Sequence, residues 1–254
     1  MHNMKRYDLI DTLRGLSILS MIGYHLCYIM SHFGMLIPAQ TLFGTSFWIW
    51  ERSICMSFIL ISGFSFSLGK HHLRNASVVF GLGLLITVIT CLFVPDMRII
   101  FGILTFLGTA MFIMIPLDRA FQKIGGSTKA CWVIFALCAA AFLFTYRTGS
   151  GYLGMEPDMM IRLPERLYSG YFMTFLGFMQ KGFFSTDYFP LIPWLFLYFC
   201  GYFLHKIIIG SAAERFLTHG IKGIRYIGRH SLIIYLVHPV ILYLVIAAIS
   251  IKIR

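Results

Sequence analysis

Seven apolar runs of about 20 residues recur along the chain, and they limit the folds it can adopt more than any other feature. Each run is continuous and lacks the alternating pattern of a membrane β-barrel, so each predicts a helix that crosses a bilayer. The mean hydropathy of +0.80 and the charged fraction of 12% lie far outside the range of soluble domains. We therefore predict an all-α, polytopic membrane bundle. Its predicted spans are 8–30, 46–68, 77–94, 100–117, 129–146, 188–209 and 226–250.

One connection, residues 147–187, is much longer than the others. Segments of this length in a compact bundle are usually functional or disordered, and its many aromatic residues argue against disorder. Its stretch 167–179 is predicted to form either an interfacial helix or a short eighth span. The remaining connections are short, so residues 1–254 are predicted to form a single transmembrane domain. No internal repeat is evident, and this lowers the expectation of a secondary transporter.

The short connections predict the orientation. More Lys and Arg residues, among them Lys5 and Arg6, lie on the side that carries the N-terminus, so that end is predicted to be cytoplasmic and 147–187 to lie outside. The same connections explain the excess of 21 Lys+Arg over 10 Asp+Glu. No basic domain remains that would bind nucleic acid, and membrane lipid is the expected surrounding. The six cysteines lie in or beside apolar runs without a CxxC pair, which predicts neither a metal site nor disulfides.

The first span carries three ionisable residues that matter: Asp11, Arg14 and His25. Eleven helical steps separate Arg14 from His25, so both face the same way, about 16 Å apart along the axis. Ionisable groups within a span are costly and usually face a protein interior or an aqueous pathway. Asp11 is close enough to pair with Arg14, and histidine suits proton transfer at neutral pH. The structural alternatives are an Arg14 that snorkels from the interface and a His25 that only packs between helices.

Further polar candidates lie at the ends of later spans. Arg52 is more typical of structure or acceptor binding than of chemistry. Lys70 and Arg74 are candidates to bind the phosphates of a nucleotide-like donor, although positive-inside topology and anionic lipid explain them as well. Asp187 either caps the sixth span or helps to hold an acceptor. No cleavable signal peptide is expected, since charged residues interrupt the first apolar run.

A second polar stripe lies in the last span, where Ser231, Tyr235 and His238 are spaced i, i+4 and i+7. It is a candidate to meet the polar stripe of the first span. Pro239 is expected to kink the helix beside His238 and to free a carbonyl group. Hydrogen bonding between helices accounts for Ser231 and Tyr235 without any further role.

These residues resemble a known family. The stretch Asp11-Thr-Leu-Arg14-Gly15, followed by Met21-Ile-Gly-Tyr-His25, is similar to the opening of bacterial membrane proteins related to heparan-α-glucosaminide N-acetyltransferase. The Arg-x10-His spacing is also similar to that of acyltransferase-3 enzymes. Further matches, in the same order along the chain, are Ser62-Gly63, Phe101-Gly102-Ile-Leu104 with Leu107-Gly108, Asp187-Tyr188-Phe-Pro190-Leu-Ile-Pro193-Trp194, and Ile227-Gly228-Arg-His-Ser231-Leu-Ile-Ile-Tyr235-Leu-Val-His238.

The resemblance implies transfer of an acyl group, usually acetyl, from cytoplasmic acyl-CoA to a sugar, amino sugar or envelope glycan. It implies an O- or N-acyltransferase of the inner (cytoplasmic) membrane, without a metal and compatible with a homo-oligomer. His25 would act as general base or, as the alternative, would carry the acyl group covalently, with Arg14 and Asp11 as its catalytic partners. The predicted donor-binding residues are Arg14, Lys70 and Arg74, and the predicted acceptor-binding residues are Arg52, Asp187, Tyr235 and His238. The chain is shorter than these relatives, which leaves open whether the acyl group crosses the membrane.

Two other functions use the same residues. A proton-coupled transporter or flippase would employ the buried Asp, Arg and His for proton coupling and for an anionic or glycosidic substrate. A non-catalytic membrane scaffold is the third alternative. Binding of acyl-CoA distinguishes the acyltransferase from both.

Overall fold

The computed structural model describes residues 7–35, 37–123, 127–155 and 160–253. Lys5, Arg6 and residues 156–159 of the long connection lie outside these ranges. The described helices are α1 (Asp8–His32), α2 (Ala39–Leu42), α3 (Thr45–Phe66), α4 (His72–Phe93), α5 (Ile103–Lys123), α6 (Thr128–Thr145), α7 (Tyr171–Leu176), α8 (Leu191–Ile208), α9 (Lys222–Arg229) and α10 (Ser231–Ile253). Two short antiparallel strands, β1 (Tyr152–Leu153) and β2 (Ile161–Arg162), pair Tyr152 with Arg162.

Within the described ranges, 7 helices are long and apolar enough to cross a membrane. They are α1, α3, α4, α5, α6, α8 and α10, which confirms the predicted multi-pass helical bundle. The last span is predicted to begin at residue 226, whereas α10 begins at Ser231 and a separate helix, α9, precedes it. The polar residues of α9 therefore belong to a separate short helix and not to the last span. The pattern of apolar residues alone does not show where α9 ends and the span begins.

The described residues of the long connection contain no eighth span. Its helix α7 has only 6 residues and cannot cross a bilayer. The tyrosines at either side of α7 tie the segment down, because the Tyr168 hydroxyl donates to the Thr148 carbonyl at 2.6 Å and the Tyr188 hydroxyl donates to the Thr174 carbonyl at 2.6 Å. Burial raises the pKa of both phenols, which keeps them protonated donors.

The chain divides into two compact units, which we call terminal and internal. The internal unit is Ser62–Ile209, in which α4 packs on α5 and α6 packs on α8. Glycines allow the backbones to approach closely there: a Cβ on Gly63 would lie 2.0 Å from the Tyr198 carbonyl oxygen, and one on Gly83 would lie 2.5 Å from the Thr105 nitrogen. Such small-residue contacts are typical of helices that pack inside membranes.

The terminal unit is Met1–Ile61 together with Gly210–Arg254. It contains α1, α2, α9, α10 and most of α3, and α1 packs along both α9 and α10. Its apolar core forms around Ile18, Met21 and Ile54. The ring of Phe33, just beyond the end of α1, lies 5.4 Å from that of Tyr243 in α10. All the residues that we assign to the candidate site lie in this unit.

Candidate functional site

The side chains of His25 and His238 meet where α1 packs on α10. The Nδ1 of His25 lies 2.6 Å from the Nε2 of His238, and the two ring planes differ by 3°. The ring centroids are 4.9 Å apart. This distance equals the 2.6 Å between the two nitrogens plus about one ring radius on each side. Both nitrogens therefore lie on the line between the centroids. The contact is an in-plane, nearly linear hydrogen bond and not a face-to-face stack.

The two members of this histidine pair differ in burial and in partners. His238 is only 6% exposed, and its Nδ1 lies 3.0 Å from the carbonyl oxygen of Ile234 one turn earlier in α10. His25 is half-buried, and among the described residues its Nε2 has no hydrogen-bond partner. Pro239 follows within α10 and has no N–H to donate to the Tyr235 carbonyl, so the helix lacks one backbone bond at this turn.

Aromatic side chains lie beside His25. The ring of Tyr24 lies 6.0 Å from that of His25 and meets the edge of Trp50 at 5.6 Å. The indole N–H of Trp50 donates to the Ser20 hydroxyl at 2.8 Å, which fixes the plane of the indole. Aromatic packing therefore continues from the ring of His25 through Tyr24 to Trp50.

A charged cluster occupies the other end of α1. Asp11 lies 3.3 Å from Arg14 and 3.3 Å from Arg229, while Asp8 pairs with Arg225 and lies 3.4 Å from Arg229. The Asp11 side chain is only 6% exposed, whereas the three arginine side chains are 27–33% exposed. Three guanidinium groups thus face two carboxylates. We call this group the arginine–aspartate cluster; its partly exposed arginines suit it to bind an anion.

Close contact between backbones brings the cluster together. A Cβ on Gly228 would lie 1.8 Å from the Asp11 carbonyl oxygen, and one on Gly15 would lie 2.1 Å from the Ile224 carbonyl oxygen. The Ile221 amide, just before α9, donates to the Thr12 hydroxyl at 3.1 Å. Because α9 approaches α1 this closely, arginines on α9 reach aspartates on α1.

A tyrosine just before α1 gives a second tie within this unit. The Tyr7 hydroxyl donates to a carboxylate oxygen of Glu214 at 2.8 Å. Burial, followed by the carboxylate of Glu214, raises the pKa of Tyr7 to about 12, so the phenol stays protonated at every physiological pH. The beginning of α1 is thereby anchored to the segment that leads into α9.

The structure distributes the other predicted site residues over both units. Tyr235 packs against the apolar core of the terminal unit, with its ring 6.1 Å from that of His238. Arg52 lies half-buried on α3, also in the terminal unit. Lys70 and Arg74 are exposed at the beginning of α4, in the internal unit. Their predicted roles in binding donor or acceptor stay predictions.

Asp187 has a role that differs from the predicted cap of the sixth span. Its Oδ2 accepts a hydrogen bond from the Ile103 amide at 3.0 Å, so Asp187 caps α5. The residue at the N-cap position of α8 is Pro190, and no side chain caps that helix. The prediction that it caps the sixth span is wrong, because a cap is assigned from neighbouring residues and this bond joins residues far apart in the chain. Whether it also holds an acceptor stays a prediction.

Sequence reasoning missed three members of the arginine–aspartate cluster: Asp8, Arg225 and Arg229. They are easily explained as interfacial and positive-inside charges. Their spacing in the sequence is the signal that could have identified them, because two acids three residues apart on one helix can pair with two bases four residues apart on another.

The described residues contain no group of three or more His, Cys, Asp or Glu side chains that could hold a metal ion.

Comparison with known proteins connects this chain to a family. A family model described as "Heparan-alpha-glucosaminide N-acetyltransferase, catalytic" matches residues 6–240, which includes both the histidine pair and the arginine–aspartate cluster. No curated protein matches the chain, and no solved structure does.

Proposed function

Because the chain belongs to the heparan-α-glucosaminide N-acetyltransferase family, we propose that it transfers an acetyl group from acetyl-CoA to a sugar or envelope glycan at the inner membrane. The observation that carries the donor assignment is the position of two groups on α1. The arginine–aspartate cluster lies at one end of this helix and the imidazole of His25 lies three turns further along.

The spacing of these groups fits the length of the donor. About fourteen bonds join the phosphorus next to the pantetheine arm to the acyl carbon, equivalent to between four and five residues of extended chain, or about 16 Å. The eleven helical steps from Arg14 to His25 also cover about 16 Å. A donor whose pyrophosphate lies on the arginine–aspartate cluster would therefore present its thioester at His25. Arg225 and Arg229 would join Arg14 in holding the phosphates.

The chemistry at His25 is general-base catalysis. Its Nε2 takes the proton from an acceptor hydroxyl or amine while the acceptor atom bonds to the acyl carbon. The carbon–sulfur bond then breaks, and the CoA thiolate leaves and takes up that proton. Arg14, oriented by Asp11, contributes through donor binding. The acceptor is a sugar of unassigned identity, for which Tyr235, Arg52 and Asp187 remain the candidate contacts, and Lys70 and Arg74 remain further candidates for CoA phosphates.

The test is calorimetric titration of detergent-solubilised protein with two donors, acetyl-CoA and S-acetyl-pantetheine, the second of which lacks the nucleotide and its phosphates. Wild type is compared with Arg14→Ala and with Arg162→Ala, a variant of an arginine that is 72% exposed in the internal unit. We expect Arg14→Ala to weaken binding of acetyl-CoA by about 10- to 100-fold, the loss of one or two charge-assisted hydrogen bonds. Binding of S-acetyl-pantetheine should be unchanged.

Two results would contradict the proposal. Folded wild-type protein that binds neither donor would exclude acetyl-CoA as substrate and would favour transport. An equal loss of affinity for both donors in Arg14→Ala would show that Arg14 does not contact the phosphates. Arg162→Ala should behave as wild type in every titration.

A further inference from the structure

In the histidine pair, His238 lies directly beside the proposed base, His25. A backbone carbonyl oxygen only accepts hydrogen bonds, so the Nδ1 of His238, 3.0 Å from the Ile234 oxygen, must carry a proton. When the pair is uncharged, the Nε2 of His238 then holds a lone pair. The nitrogen 2.6 Å away, Nδ1 of His25, must be the donor. The only remaining lone pair in the two rings is on the Nε2 of His25.

We propose that His238 is a positioning residue that holds His25 in the tautomer with its proton on Nδ1, so that Nε2 is the base. This inference rests on the proposed function for its catalytic meaning, whereas the tautomer itself does not depend on it. The order of groups is the Ile234 carbonyl, His238, His25 and then the acceptor proton. The imidazole of His238 thus has the role of the carboxylate in a Ser-His-Asp triad, which is hydrogen-bonded to the catalytic histidine and holds it in one tautomer.

The burial of the two rings agrees with this order. His238 is 6% exposed and is held on both nitrogens, as suits a support, while His25 is half-buried with its Nε2 directed at no described hydrogen-bond partner. The in-plane geometry also fixes the rotation of the His25 ring. His238 therefore determines both which nitrogen is basic and where that nitrogen points.

The pair also accommodates the proton that the base acquires. When Nε2 of His25 takes a proton from the acceptor, the proton on its Nδ1 can move to Nε2 of His238. The positive charge then lies on His238, whose Nδ1 still donates to the Ile234 carbonyl. Return of this proton to Nδ1 lets Nε2 of His25 release its own proton to the CoA thiolate, which restores the starting state with all protons accounted for.

The test combines tautomer measurement with kinetics. Protein labelled with ¹⁵N-histidine is examined by NMR in detergent for wild type, His238→Phe and His238→Gln, with His25→Gln to assign the signals. Wild type should show His25 protonated on Nδ1. His238→Phe removes the acceptor, so His25 should revert to the Nε2-protonated form that free histidine favours. In His238→Gln the amide oxygen can accept in place of Nε2, so the Nδ1-protonated form should return.

The kinetic readout uses acetyl-CoA as donor and glucosamine as acceptor. His238→Phe should lower kcat by about 10²- to 10⁴-fold, as expected for a base in the wrong tautomer, with the KM for acetyl-CoA changed by less than about twofold. His238→Gln should recover part of kcat. A merely structural role would instead shift stability and KM together, without rescue by Gln.

The outcomes separate this inference from the proposed function. If His25 has the same tautomer in wild type and in folded His238→Phe, the inference is wrong whatever the activity. If the tautomer changes as expected but no variant, nor wild type, transfers acetyl, the positioning role stands and the proposed function fails.

Discussion

At the scale of single residues, Asp11 is held by one partner on its own helix and one on α9. Asp11 lies between two arginines, Arg14 of its own helix and Arg229 of α9, while its own side chain is almost fully buried. A buried carboxylate that is paired twice stabilises the fold mainly because its removal takes a counter-charge away from both arginines. Removing one partner from a surface ion pair costs less free energy, because water solvates the charge that remains.

This difference predicts the effect of neutralising each acid. Asp11→Asn should lower the free energy of unfolding by about 1–3 kcal/mol, reduced from the value for fully buried pairs because both arginines are partly exposed. The matched control is Glu165→Gln, which breaks a pair whose side chains are 72% and 70% exposed and should cost less than about 1 kcal/mol. Unfolding in SDS titrations measures both. Equal effects of the two variants would show that Asp11 is no more than a surface charge.

At the scale of elements, the site depends on how closely α9 approaches α1. Gly228 faces the Asp11 carbonyl and Gly15 faces the Ile224 carbonyl, so backbone packs directly against backbone at both points. Two helices with larger residues at these positions would lie further apart. The guanidinium groups of α9 would then not reach the aspartates of α1.

Substitution within α9 tests this contact. Gly228→Ala places a Cβ 1.8 Å from a backbone oxygen, where neither side can yield, and should destabilise the protein by about 1–3 kcal/mol or more. The same variant should weaken binding of acetyl-CoA, because the cluster separates. Gly223→Ala is the control in the same helix, since a Cβ there meets nothing within 4 Å, and it should be neutral or slightly stabilising. If both variants melt at the same temperature, close approach of the two helices is not what forms the cluster.

At the scale of the whole molecule, the seven spans could be predicted from the sequence because hydropathy is a local property. The common face of Arg14 and His25 was also predictable, since helical periodicity determines it. The contact of His25 with His238 could be predicted only as one candidate, because nothing local decides which helices pack side by side. The same limit explains the missed pairs of Asp8 with Arg225 and the assignment of Asp187 to the wrong helix.

The direction of the first and last spans bears on how the protein is oriented in the membrane. The first and last spans, α1 and α10, run in the same direction, since His25 and Phe33 contact His238 and Tyr243 in that order. The odd number of spans among the described residues agrees with this direction. With the N-terminus in the cytoplasm, as the positive-inside rule predicts, the arginine–aspartate cluster lies at the cytoplasmic end of α1. A donor made in the cytoplasm would meet the cluster first and His25 deeper in the membrane.

The most direct test of this account is acetyl transfer by protein reconstituted in lipid vesicles, with radiolabelled acetyl-CoA as donor and glucosamine as acceptor. His25→Gln is compared with wild type and with His230→Ala, which changes an exposed histidine outside the site. We predict that His25→Gln lowers the rate by about 10²- to 10⁴-fold, the usual contribution of a general base, while His230→Ala stays within twofold of wild type. A folded His25→Gln protein that transfers acetyl at the wild-type rate would contradict the central claim that His25 is the catalytic base.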